Sequence, residues 1–292
     1  MLPRMEMLAV ALVLISAVMH ATWNMLARRS GDPYAFFFCF NAAAVLLWLP
    51  AAAPLYIRDD IPATGYLLIL ISGCLQVAYF ASLGAAYRRG ALSLVYPIAR
   101  GTGVGVVPLV ALPLYGERPS SLAAAGILLI LTGLALVGMH GYRVTRRGLE
   151  DGAGGAALYA ALTGLIIAGY SLIDKRGVRD VNPLVYGYGL ILVAVLVQTP
   201  FILLRRRSDV IQEWRRNRMP AVIGGVLSLA TYVLVLFALR TANVGVVVPL
   251  RETSIVFGVA LGIIVLRERL ARLQVAAATA IGIGALAIAI GG

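Results

Sequence analysis

Ten apolar runs follow one another along the 292-residue chain, each close to the roughly 20 residues a helix needs to cross a bilayer's hydrocarbon core. They fall at about 6–27, 33–56, 63–87, 91–115, 120–141, 153–174, 183–204, 219–240, 243–266 and 270–291. Polar breaks separate them, such as Arg28-Arg29-Ser30-Gly31-Asp32-Pro33, Arg58-Asp59-Asp60, Arg88-Arg89-Gly90 and Gly116-Glu117-Arg118-Pro119. In hydrocarbon every backbone N–H and C=O needs an internal partner, so only helices or a closed barrel span it. Barrel strands read as segments of alternating polarity about ten residues long. These runs are longer, uniformly apolar, and rich in the Gly and Ala that let helices approach closely in lipid. The expected fold is an all-α integral membrane protein with ten transmembrane helices.

Composition agrees. Hydrophobic residues make up 61% and charged residues 13%, against about 45–50% and about 25% in soluble domains. The net charge of +12 would suggest nucleic acid only if a soluble domain carried it on one face. Here the basic residues sit in short breaks, and nucleic acid is excluded as a partner. The first run, with Arg4 before it and no small-residue cleavage site after it, reads as a membrane helix rather than a signal peptide. Cys39 and Cys74 lie inside apolar runs and read as small core residues rather than a disulfide framework.

The two halves repeat at an offset of about 151 residues. Val95-Tyr96-Pro97-Ile98-Ala99-Arg100 aligns with Val247-Val248-Pro249-Leu250-Arg251-Glu252, Gly133 with Gly284, and His20 with Tyr170. The expected domains are a first five-helix repeat at 1–141, a linker at 142–152 and a second repeat at 153–292. Five crossings is an odd number, so the second repeat enters the membrane inverted. In secondary transporters of that architecture the site lies near the midplane between repeats.

Each half carries a proline early in its fourth helix (Pro97, Pro249) and a glutamate closing that helix (Glu117, Glu268). In this the chain resembles the EamA-type members of the drug/metabolite transporter superfamily over nearly its whole length. The second half departs from the usual Gly-Glu, having Arg267 before Glu268. The segment His20-Ala21-Thr22-Trp23-Asn24 is similar to a His-Ala-x-Trp-Asn signature of a subgroup associated with phosphonate utilisation. The resemblance implies a multi-pass permease of the cell (inner) membrane without a cofactor.

The charges inside the runs are the candidate site. Arg100, Arg251 and Glu252 each lie about ten residues into a helix, hence near the bilayer centre. A central charge costs about 2.5–3.5 kcal/mol, so such residues face the bundle interior and mark pathways. Two guanidinium groups suit a carboxylate, phosphonate or phosphate, and one carboxylate suits an ammonium. The alternative is a structural ion pair, which still leaves one cation over. His20, Trp23 and Asn24 share one helical face. His20 is a candidate for proton uptake, against a hydrogen-bonded interhelical histidine beside an interfacial tryptophan. Tyr79, Tyr96, Tyr170 and Tyr232 lie within helices, where they line a polar cavity or simply pack. Pro97 and Pro249 are expected to kink their helices, and Glu117 and Glu268 to complement helix N-termini. Asp174 reads as a solvated charge at the end of helix six.

The chain contains no phosphate-binding Gly-rich loop, no His-Glu-x-x-His and no Gly-x-Ser-x-Gly, and it has only two histidines and two cysteines. An ATP motor, a metal cluster and an enzyme are therefore not expected. The sequence reading is an alternating-access transporter, an exporter, of a small anionic or zwitterionic metabolite such as an amino acid or aminophosphonate. It works as a monomer or homodimer, with proton coupling through Glu252 or His20. The rivals are a flippase of a lipid-linked substrate and a multidrug or cation exporter. On orientation two arguments conflict. The face with both termini carries seven Lys and Arg against sixteen on the other, which places the termini outside the cytoplasm, whereas the family resemblance places them inside.

Overall fold

A computed structural model describes residues 7–27, 31–90, 92–145, 153–266 and 272–291, and all regular structure among them is helical. The helices are α1 (Met7–Ala27), α2 (Pro33–Arg58), α3 (Ala63–Tyr87), α4 (Leu92–Tyr115), α5 (Ser121–Thr145), α6 (Ala153–Asp180), α7 (Pro183–Phe201), α8 (Arg207–Thr241), α9 (Val244–Leu250), α10 (Thr253–Leu266) and α11 (Arg272–Gly291). Among the described residues, nine helical stretches are long and apolar enough to cross a membrane; one of them, Pro183–Thr241, runs for 59 residues. Glu268 and most of the expected linker lie outside the described residues.

Local chemistry explains several boundaries. The Asp32 carboxylate accepts from the Ala35 N–H at 3.1 Å and caps α2, with Pro33 as first helical residue. Asn182 does the same for α7, accepting from the Leu184 N–H at 2.9 Å. Gly116, with φ of 67°, adopts the left-handed conformation at the end of α4 that glycine takes without steric cost. The outer surface is a belt of exposed aliphatics, including Leu46, Leu109, Leu128, Leu158 and Leu286. In water such a surface would be an aggregation hazard; facing acyl chains it is the solvated face.

Three boundaries differ from the sequence reading. That reading ends helix six at 174, yet α6 runs on to Asp180, because Val178 continues its buried face. The arginine-rich stretch 205–218, expected as a loop, is helical: a short π turn at Ile202–Arg206 leads into α8, which bends at Asn217, where φ is −126°. The ninth run, expected as one helix, is broken into α9 and α10 at Arg251–Glu252. Pro249 has no N–H to continue the ladder. Past it the bonding tightens to three-residue spacing, with the Glu252 N–H on the Pro249 carbonyl at 3.0 Å and the Ile255 N–H on the Glu252 carbonyl at 2.9 Å. The Thr253 hydroxyl takes up the Leu250 carbonyl at 2.8 Å. α4 runs unbroken through Pro97, so the two aligned prolines do different things.

Packing is reciprocal between the halves. α1 lies on α8 as α6 lies on α3, and α2 lies on α8 as α7 lies on α3. α5 and α11 cross at glycines: a β-carbon at Gly126 would sit 2.5 Å from the Gly284 carbonyl oxygen, and one at Gly284 would sit 2.6 Å from that of Gly126. Gly126 meets Gly284 while Gly133, further along α5, meets Ala277, earlier on α11, so the two helices run antiparallel.

Candidate functional site

α9 and α10 meet inside the bundle, and the two residues at their junction carry charge. Glu252 is 2% exposed and receives both prongs of the Arg100 guanidinium from α4: Nε donates to Oε2 at 3.0 Å and Nη2 lies 2.7 Å from Oε1. Such bidentate geometry is among the strongest a protein makes. The structure thus brings together two residues that the repeat alignment places opposite each other, and joins them as an ion pair.

Arg251 has no carboxylate within salt-bridge distance among the described residues. Its guanidinium lies over the Tyr232 ring of α8, 5.6 Å from the centroid, a cation–π arrangement. The Arg100 guanidinium lies 5.9 Å from the Tyr96 ring centroid. Of the two readings of these charges, the geometry is that of an ion pair, Arg100 with Glu252, with one cation left over, Arg251, which has no carboxylate partner among the described residues.

Aromatic rings connect the other candidates. Tyr232 meets Tyr170 of α6 at 6.4 Å between centroids, and Tyr170 meets Tyr79 of α3 at 6.3 Å. Tyr79 meets Phe80 at 4.9 Å, Phe80 meets Phe37 at 5.1 Å, and Phe37 meets Trp23 at 6.4 Å. His20 closes this row edge-on to Trp23 at 4.6 Å and stands within electrostatic reach of Arg100 and Arg251. Trp23 also packs on Phe40 at 5.3 Å, so it belongs to an interhelical aromatic cluster rather than to the lipid interface; its indole N–H is buried and without a hydrogen-bond partner among the described residues. Asn24 donates to the His20 carbonyl at 2.8 Å and stays on its own helix. Tyr79, Tyr96, Tyr170, Tyr232 and His20 thus share one interior region with Arg100, Arg251 and Glu252.

Asp174 is a correction. It is fully buried and accepts hydrogen bonds from Ser72 Oγ at 2.6 Å, Tyr186 Oη at 2.9 Å, and Tyr232 Oη. The sequence does hold a signal: Val178 follows Asp174 by four residues, one helical turn, so the aspartate shares the buried face of a helix that continues past it. Lys175, its neighbour, is also buried and donates to the Leu239 and Ala242 carbonyls, both at 2.7 Å, at the end of α8. Its ammonium is 3.9 Å from Glu117. Glu117 in turn accepts from the Gly245 N–H at 3.1 Å. Glu117 therefore caps α9, in the other half of the chain, whereas the start of α5 is capped by Ser120, which accepts from the Ala123 N–H at 3.1 Å.

Beside α4, between it and α5, runs an apolar groove of about 590 Å³ lined by Leu94, Pro97, Ile98, Leu131, Leu134 and Met139.

Residues 154–290 match the profile of the EamA-like transporter family. No curated protein matches the chain. Among the solved structures, one described only as a crystal structure of a protein superposes with a TM-score of 0.74 over 96% of each chain at 18% identity. Likeness at that identity is one of fold alone.

Proposed function

Since residues 154–290 belong to the EamA-like transporter family, within the drug/metabolite transporter superfamily, we propose that the whole chain is a secondary transporter of ten crossings in two inverted five-helix repeats. The repeats are 1–141 and 153–292, joined by the linker 142–152, and the long stretch Pro183–Thr241 supplies two crossings that meet near the bend at Asn217. The reciprocal, antiparallel contact of α5 with α11 supports this reading. Gly126, Ile130 and Gly133 stand 151 positions before Ala277, Ile281 and Gly284. Gly133 meets Ile281 just as Gly284 meets Ile130. A two-fold axis in the membrane plane, the relation between inverted repeats, would bring two helices together in that way.

The substrate is a small anionic or zwitterionic metabolite, such as an amino acid or aminophosphonate, exported across the inner membrane by a monomer or homodimer. The observation that carries this is Arg251: a guanidinium in the bundle interior, resting on an aromatic face, with no carboxylate paired to it among the described residues. Intramembrane charges without a partner are rare and mark substrate pathways. Arg100 and Glu252 already satisfy each other, so they frame the site. The substrate's anionic group takes Arg251, and its remaining bulk lies along Tyr232, Tyr170 and Tyr79.

The test is the thermal stability of the purified protein against a panel of amino acids, phosphonates, organic acids and organic cations, in wild type and Arg251→Gln. A ligand of the folded state at about 100 times its Kd adds about 2.7 kcal/mol. Stabilisation by anions or zwitterions in the wild type alone is the expected result. Stabilisation by cations alone, retained in the variant, would reject the anion site.

One observation favours a second reading, a flippase of a lipid-linked substrate. The apolar groove between α4 and α5 is lined by Pro97, next in sequence to Tyr96, and offers a place for an acyl tail. A flippase would be stabilised by lipid-linked anions and indifferent to water-soluble ones.

A further inference from the structure

Asp174 is a buried carboxylate that the anion site leaves without a task. It stands on the bundle face of α6, is fully buried, and has no cationic nitrogen within salt-bridge distance among the described residues. Three hydroxyls hold it: Ser72 from α3, Tyr186 from α7 and Tyr232 from α8. The other ionisable groups in electrostatic reach are Tyr115 from α4, Tyr170 on α6 itself, and Arg251 from the junction of α9 and α10. Lys175, next in sequence, is turned to the Leu239 and Ala242 carbonyls and to Glu117. Tyr232 is shared: its hydroxyl donates to Asp174 and its ring carries the Arg251 guanidinium.

We propose, on the premise that Arg251 binds the substrate anion, that Asp174 is the proton-binding site of the transporter and that anion and proton cross together. The physics is that of charge in a medium of low dielectric. Arg100, Arg251, Glu252 and Asp174 sum to zero, and Lys175 with Glu117 forms a separate neutral pair. A substrate of net charge −1, an organic anion or an aminophosphonate rather than a neutral zwitterion, leaves one negative charge in excess when it arrives at Arg251, which hydrocarbon penalises. A proton on Asp174 restores neutrality. A proton on Glu252 would break the two-pronged bond from Arg100, and a proton on His20 would put a third cation beside two guanidinium groups. Asp174 is held instead by hydroxyls, which accept as readily as they donate.

The step balances simply. The Tyr232 O–H proton passes to Asp174 Oδ2 as the Tyr232 oxygen takes a proton from water on the open side, so one O–H bond breaks and one forms at the hydroxyl while a new O–H bond forms at Oδ2. The Tyr232 hydroxyl turns and accepts from it. When the anion leaves, that O–H bond breaks and the proton returns to water on the opposite side. By linkage, the anion then raises proton occupancy and the proton raises anion affinity by the same factor.

The experiment needs no identified substrate, because removing the Arg251 charge stands in for its neutralisation by an anion. Infrared spectra of the protein reconstituted in liposomes are recorded from about pH 4 to about pH 9, a range that brackets carboxyl groups shifted by their surroundings. They follow the carbonyl band of protonated carboxyl groups in wild type, Asp174→Asn, Arg251→Gln and Tyr232→Phe. The wild type is expected to show a component of this band that is absent in Asp174→Asn. In Arg251→Gln the ratio of protonated to ionised Asp174 at a given pH is expected to rise about tenfold or more, the effect of losing a nearby opposite charge. A band identical in wild type and Asp174→Asn overturns the proton site, and an Arg251→Gln ratio equal to the wild type's overturns the coupling. Should Asp174→Asn not fold, Tyr232→Phe keeps the carboxyl, removes one donor and must change the same band component; an unchanged component there overturns the site. The spectra do not depend on transport. A titrating Asp174 in a protein that no anion stabilises would leave the proton site standing and reject the anion reading.

Discussion

Arg100 and Glu252, 152 positions apart in the sequence, are joined in the bundle interior by a hydrogen bond of 3.0 Å and an ion-pair contact of 2.7 Å. The pair ties the fourth helix of the first half to the broken ninth run of the second. Removing either member leaves the other charge buried and alone, which costs about 3–5 kcal/mol. Arg100→Ala and Glu252→Ala are each expected to lose that much in thermal or denaturant unfolding. The double variant is expected to lose clearly less than the sum, the signature of direct coupling.

Arg251 has the opposite expectation. With no carboxylate partner to strand among the described residues, Arg251→Gln is expected to keep its stability within about 1 kcal/mol, apart from the cation–π contact with Tyr232. The same variant is expected to abolish anion-dependent stabilisation. A loss as large as that of Arg100→Ala would show Arg251 to be structural.

At the crossing of α5 and α11, Gly126→Ala and Gly284→Ala each place a methyl group on the facing backbone, 2.5 and 2.6 Å from a carbonyl oxygen. Backbone yields less readily than a side chain, so a cost of about 1–3 kcal/mol is expected for each. The two costs are expected to be similar, because each glycine meets the other's carbonyl. Unfolding of the two single variants checks this directly.

Lys175→Met removes the donor to the Leu239 and Ala242 carbonyls and the partner of Glu117. A loss of about 3 kcal/mol in unfolding measurements is expected, given that hydrogen bonds to charged groups are worth about 1.5–3 kcal/mol each. Glu117→Gln is expected to cost less, since an amide oxygen still accepts from the Gly245 N–H.

Trp23→Phe deletes a buried N–H that has no acceptor among the described residues and keeps a ring against Phe37 and Phe40. Because an unsatisfied buried donor carries a desolvation cost of about 1–3 kcal/mol, the variant is expected to be as stable as the wild type or more so. A clear destabilisation would mean that the indole nitrogen is satisfied in the membrane-embedded protein.

Much of this molecule is written locally in its sequence. Runs of about 20 apolar residues determine helices in lipid, because hydrocarbon offers the backbone no other partner. The breaks at Asp32-Pro33 and Asn182-Pro183 determine helix starts through caps and proline. Charges set amid apolar residues mark Arg100, Arg251 and Glu252 as interior groups from the sequence alone, since hydrocarbon leaves no alternative. What tertiary structure alone decided is pairing. Two arginines look alike along the chain, yet one is neutralised by Glu252 and the other lies open on Tyr232, because a salt bridge depends on which helix faces which. Asp174 resembles a loop charge in the sequence because its hydroxyl partners lie 102, 12 and 58 residues away. Two aligned prolines likewise give one continuous helix and one broken one. Hydropathy is a property of each segment and is read from the segment; partnership between polar groups is a property of packing and exists only once the helices have met.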